Sequence, residues 1–223
     1  MVTLLSYAPG DFLMFGPEVY WRLFELQNTA LWPAPVIAAL LGLLALPVLI
    51  RGHPLHIRGV LVLFALACLG AAQFLAARYA PINWPVIYAA WGFGAQAALL
   101  AVLAVVGPVQ GRAEAGGTGG LAGWMLLVHA AMLHPFTGIV FGRPLAQAEI
   151  AGIAPDPTAI ACLGLVTLVR PGLAGLVLGL VPALWCVLSA ATLLTLGEAQ
   201  GWVPLGAALV WLLGQCRLPP TRA

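Results

Sequence analysis

Residues 31–50 read LWPAPVIAALLGLLALPVLI, twenty consecutive positions without a charge. At 1.5 Å of rise per residue this is about 30 Å of α-helix, the thickness of a bilayer's hydrocarbon core. Working outward, apolar segments run from Leu31 to Ile50, Gly59 to Ala77, Trp84 to Gly107, Leu121 to Phe141, Pro157 to Val169, Gly172 to Leu196 and Gly201 to Gln215. Of the 223 residues 62% are apolar and only 7% charged, and the mean hydropathy is +1.03. A soluble domain needs about 25% charge to face water. The chain therefore reads as an all-α, polytopic transmembrane helical bundle of about seven spans, with the lipid bilayer as its solvent. The composition excludes disordered, fibrous, disulfide-rich and nucleic-acid-binding classes, so no nucleic-acid partner is expected.

A single integral membrane domain covers residues 1–223. It divides into an interfacial segment over 1–30, three spans over 31–107, a Gly-rich cytoplasmic linker over 108–120 and four spans over 121–216. The fifth segment is short: 13 uncharged residues separate Asp156 from Arg170, about 20 Å of helix. It either snorkels at Arg170 or is re-entrant. With seven crossings, Arg51, Arg58, Arg112, Arg170, Arg217 and Arg222 share one side, and Arg22, Arg78 and Arg143 the other. The positive-inside rule then puts the N-terminus outside and the C-terminus in the cytoplasm of a bacterial inner membrane. No cleavable signal peptide is read, because the first apolar segment begins too far in and lacks a basic start.

Ahead of the first span, Pro17 to Thr29 has an amphipathic helical pattern. Val19, Tyr20, Leu23 and Phe24 share one face and Glu18, Arg22 and Glu25 the other, with Trp21 and Trp32 nearby. Pro17 suits the first helical position. This predicts a short helix lying in the membrane interface.

Polar groups are costly inside a membrane, so the few that occur there mark the places to look for function. The fourth segment carries His129 and His134, followed by Pro135. Five residues on an α-helix is about 140° of rotation, so the two imidazoles are not expected to share a face or a metal. Gly142 to Pro157 is a long connection carrying Arg143, Glu149 and Asp156. Asp156 before Pro157 and Thr158 has the pattern of an N-cap. The sharper expectation is that His134, with His129 deeper, joins Glu149 and Asp156 around an outward-facing pocket that binds a small solute or a proton. No cofactor motif and no metal-ligand spacing is present. The four cysteines, Cys68, Cys162, Cys186 and Cys216, are isolated in the sequence and read as small apolar side chains. Gln73, Asn83, Gln96, Ser189 and Thr192 are expected to bond between helices, while Gly175 and Gly179 form a GxxxG that permits close helix approach.

The stretch from Phe15 to Ala34 (FGPEVYWRLFELQNTALWPA), His134-Pro135, Pro155-Asp156-Pro157-Thr158 and Pro182 to Trp185 together resemble a family of bacterial multi-pass membrane proteins known as domain of unknown function 6064. The resemblance singles out Asn28, Trp32, Pro33, His134, Pro135, Pro157, Thr158 and Trp185 but implies no reaction. The family pattern has a Cys between the two loop prolines where this chain has Asp156, so no thiol role carries over. Three readings follow. Solute or ion transport comes first and an accessory or assembly subunit second, with a homo-oligomer or membrane-protein partner left open. An intramembrane enzyme using His134 with Glu149 or Asp156 comes last.

Overall fold

Prolines and glycines set the limits of the helices, as a missing N–H and a missing Cβ dictate. The computed structural model describes residues 10, 13–107, 118–170 and 172–215; residues 108–117, most of the expected linker, and Cys216 lie outside these. Helix α1 spans Pro17–Ala30, with its proline in the first turn. Trp32 and Pro33, joined by a cis peptide bond, lead into α2, Ala34–Arg51, which ends at Gly52 with φ of 67°. Then come α3, Pro54–Phe74, and α4, Val86–Val106. After them lie α5, Thr118–Val128, and α6, His134–Val140. The series closes with α7, Pro155–Val169, α8, Leu173–Thr195, and α9, Trp202–Gln215. The described residues contain no strand, and the all-α class holds.

Two π turns interrupt this order, Leu75–Tyr79 after α3 and His129–Leu133 between α5 and α6. Each is followed by one residue and then a proline, Pro81 or Pro135. A proline ring collides with the carbonyl four residues back and offers no N–H. In both places the preceding residue donates to the carbonyl five back, Ala80 to Leu75 and His134 to His129. The fourth apolar segment is thus a composite of two α-helical pieces with one widened turn between them.

Among the described residues, five helical stretches are long and apolar enough to cross a membrane: Ala34–Arg51, Pro54–Tyr79, Val86–Val106, Thr118–Val140 and Leu173–Thr195. Their outward faces carry exposed Leu40, Leu44, Leu66, Trp91 and Val105, which water would not tolerate together. Helix α7 is shorter and is buried along its whole length, packed among α3, α5, α8 and α9. A helix apolar on every side is stable only in such a place. Glycines let it in: a Cβ on Gly164 would lie 2.7 Å from the Gly123 carbonyl oxygen. The GxxxG of α8 is also used inside the fold, since a Cβ on Gly179 would lie 2.4 Å from the Trp211 ring.

Helix α1 buries Tyr20, Trp21, Leu23, Phe24 and Gln27 and leaves Val19 exposed. The buried face is therefore rotated from the expected one to include Trp21, because α1 lies on protein. Tyr20 packs on Tyr79 and Phe24 stacks on Phe74 at the end of α3. Gln27 donates to Gln73, and Arg78 donates to Gln27.

Candidate functional site

The end of the bundle beneath α1 holds most of the buried polar side chains. The π turn is what brings the first two together. An i to i+5 turn returns the chain to the same face after five residues, so His129 Nε2 lies 3.3 Å from His134 Nδ1. The expectation that the imidazoles face apart fails because it assumed an unbroken α-helix across a proline. His134 is fully buried and His129 half-buried. Thr137 donates its hydroxyl to the His134 carbonyl at 2.7 Å, a local bond in the first turn of α6.

On its other side, His134 Nε2 is 3.9 Å from Glu149 Oε2. That exceeds a hydrogen bond, and His134 Nε2 has no partner of its own. Glu149 is 1% exposed; its Oε2 accepts from Arg143 Nη2 at 3.2 Å and from Gln200 Nε2, while Oε1 is unpartnered. Burial, and then the nearby Asp156 carboxylate, push the Glu149 carboxyl up to about 7, against the lowering pull of Arg143 and Gln200. Arg143 also donates to the Gln200 side-chain oxygen, and its guanidinium carbon sits 3.4 Å from the centroid of the Trp21 ring. Such a stacked cation needs fewer water contacts.

Asp156 does not cap a helix. Helix α7 begins at Pro155, so the Asp156 carboxylate lies inside its first turn and reaches α8. It accepts from Trp185 Nε1 and from Ser189 Oγ, both at 2.7 Å. Thr158 receives the Gly152 N–H at 2.7 Å and donates to the Ala154 carbonyl at 2.6 Å, tying the loop to α7. Asn28 of α1 donates to the carbonyls of Ala146 and Ala148. Of the other residues singled out, Pro135 shapes the π turn and Pro157 is buried in α7, whereas Trp32 and Pro33 are exposed.

His134, Glu149 and Asp156 thus belong to one cluster, but it is enclosed. The expected pocket open to the outside is closed, with His134 and Asp156 at 0% exposure. Helix α1 and the 141–154 loop cover it through Trp21 and Asn28. An apolar cavity of about 250 Å³ lies elsewhere, between α2, α3 and α7 along Gly42, Phe64, Ala67 and Ala161. Sequence reasoning missed Gln200, whose place in the cluster comes from a turn 51 residues beyond Glu149. It also missed Tyr20 and Trp21 as cover. Ser189 bonds between helices as expected, but Thr192 bonds to the Leu188 carbonyl of its own helix. Cys68 and Cys162, isolated in the sequence, have their sulfurs 3.5 Å apart.

The model of a family of unknown function, DUF6064, matches residues 17–216. No curated protein and no solved structure matches the chain.

Proposed function

The chain belongs to the DUF6064 family, and from that premise we propose that it is a multi-pass membrane protein that binds and passes a small solute or ion through the His134, Glu149 and Asp156 cluster, with His129 behind it. One observation carries the reading: His134 Nε2 and the Glu149 carboxylate face each other across 3.9 Å, buried, with an unpartnered polar atom on each side chain. Buried polar atoms without partners are rare in folded proteins, because each costs about 1–3 kcal/mol. A guest that bonds to both removes that cost. The closed cover of α1 and the loop is consistent with a site that opens on one side at a time.

In this reading α7 and α9 join the five longer stretches to make seven crossings. The short α7 crosses because protein surrounds it and no lipid-facing length is required of it. The N-terminus lies outside, the C-terminus lies in the cytoplasm, and residues 108–120 link two halves of a single domain in a bacterial inner membrane. Six Arg against three supports that orientation.

The experiment is a thermal-stability screen of the full-length protein in detergent against small ions and polar solutes, with pH as one of its variables. A bound guest at a hundredfold over its Kd adds about 2.7 kcal/mol. Wild type is expected to respond to at least one condition and His134→Asn not to. The second reading is an accessory subunit, drawn from the exposed row of Trp84, just before α4, and Tyr88 and Trp91 on it. A stoichiometric protein partner co-purifying with a chain that answers to no solute, ion or pH would favour it and overturn the first.

A further inference from the structure

We propose that the species exchanged at this cluster is the proton, carried along the line His129, His134, Glu149. The inference rests on reading the cluster as a binding and transport site and names what it takes.

The groups around the cluster select against the other small ions. An anion would find only Arg143 Nε free and would lie beside the Glu149 and Asp156 carboxylates, which repel it. A metal cation would sit within reach of the Arg143 guanidinium, and no group of three His, Cys, Asp or Glu among the described residues is arranged to hold one. What remains matched is a proton. His129 Nε2 and His134 Nδ1 are 3.3 Å apart, so one of the two nitrogens carries the hydrogen and the other accepts it. His134 Nε2 and Glu149 Oε2 are 3.9 Å apart, a gap that a slight approach closes or one bridging water spans.

The transfer balances with no further reactant. Imidazolium at His134 holds hydrogens on both nitrogens. Its Nε2–H passes to the bridging water, which gives one of its own hydrogens to the Glu149 carboxylate, leaving neutral imidazole, water and a carboxylic acid. The reverse recharges His134, and the hydrogen on Nδ1 then moves to His129 Nε2. The line runs from the half-buried His129 in the middle of the Thr118–Val140 stretch to the loop over its end.

The titratable and charged groups facing Glu149 are His134 from α6, His129 behind it, Arg143 from the loop, Asp156 from α7 and Tyr20 from α1. The residues nearest from α8 and the turn before α9 are neutral: Trp185, Ser189 and Gln200. A carboxyl that burial holds near 7 is placed to gain and lose a proton close to neutrality.

The test is an infrared titration of the full-length protein in lipid nanodiscs from about pH 5 to 8. We expect a carboxylic-acid C=O band that disappears as pH rises, with a midpoint near 7. Glu149→Gln removes it, Glu149→Asp retains a shifted one, and His134→Asn and His129→Asn each move the Glu149 midpoint by about half a unit or more. Absence of any band that Glu149→Gln removes, with Glu149→Asp equally silent, overturns the proposal. So does a Glu149 midpoint indifferent to both histidines. If a solute or metal ion stabilises wild type through His134 while Glu149 stays silent, the proton is wrong and the binding site stands. If nothing in the screen acts either, both fall.

Discussion

Helix α7 meets its neighbours in two different ways along 15 residues. At Gly164 it comes up against the α5 backbone, with Gly123 opposite and Leu127 beside it. Two turns earlier, at Asp156 and Thr158, it is held by side-chain hydrogen bonds to α8 and to the preceding loop. One contact works because atoms are missing and the other because every donor has found an acceptor. Their weaknesses should therefore be opposite: added volume harms the first, and removed atoms harm the second.

The largest effect is expected where volume is added. A Cβ at Gly164 would lie 2.7 Å from the Gly123 oxygen and 2.9 Å from the Leu127 nitrogen, both backbone atoms that cannot rotate away. Gly164→Val must push α5 and α7 apart, which costs at least the 1–3 kcal/mol or so of an overpacked core. We expect loss of monodisperse protein in detergent or a fall of many degrees in Tm. Gly206→Ala, where no atom lies within 4 Å of the new Cβ, serves as the control and should match wild type. Equal behaviour of the two would break the comparison at its first half.

Next in size is the removal of an acceptor. Asp156→Ala leaves the Trp185 N–H and the Ser189 hydroxyl buried without partners, at about 1–3 kcal/mol each. Asp156→Asn keeps one acceptor oxygen for Trp185 and should lose roughly half as much. Unfolding followed through Trp185 fluorescence in an otherwise matched background checks the order wild type, Asn, Ala. If Ala proved as stable as wild type, the polar end of α7 would owe nothing to its hydrogen bonds.

The same division explains what could be read from the sequence. Apolar segments are legible because hydrophobic length is a sum over neighbours, and all seven contain helices, although among the described residues only five helical stretches reach membrane-spanning length. His134, Glu149 and Asp156 stood out as rare polar residues in or beside apolar segments. Their contacts did not stand out. The pairing of His129 with His134 depends on one extra residue in one turn, and Pro135 was the visible cause. The role of Asp156 turned on whether α7 begins at Pro155 or Pro157, a shift of two residues that turns a cap into a partner for α8. Gln200 and Arg143 meet only because the chain returns after 57 residues, a distance over which local pattern carries no information.

The smallest effect tests the cover over the cluster. Asn28 gives both its amide hydrogens to loop carbonyls, Ala146 at 3.0 Å and Ala148 at 2.9 Å. The sites are half exposed, so water replaces much of what Asn28→Ala removes, and the expected loss is about 1 kcal/mol. The loop should respond more than the bundle. Amide hydrogen exchange over 144–149 is expected to rise while exchange in α7 stays at its wild-type rate, because local opening need not involve the core. Exchange that rises equally in α7 would mean that the cover and the buried helix unfold as one unit. In that case the polar end could not open without loosening the glycine contact beneath it, and the two regions of α7 would differ in chemistry but not in stability.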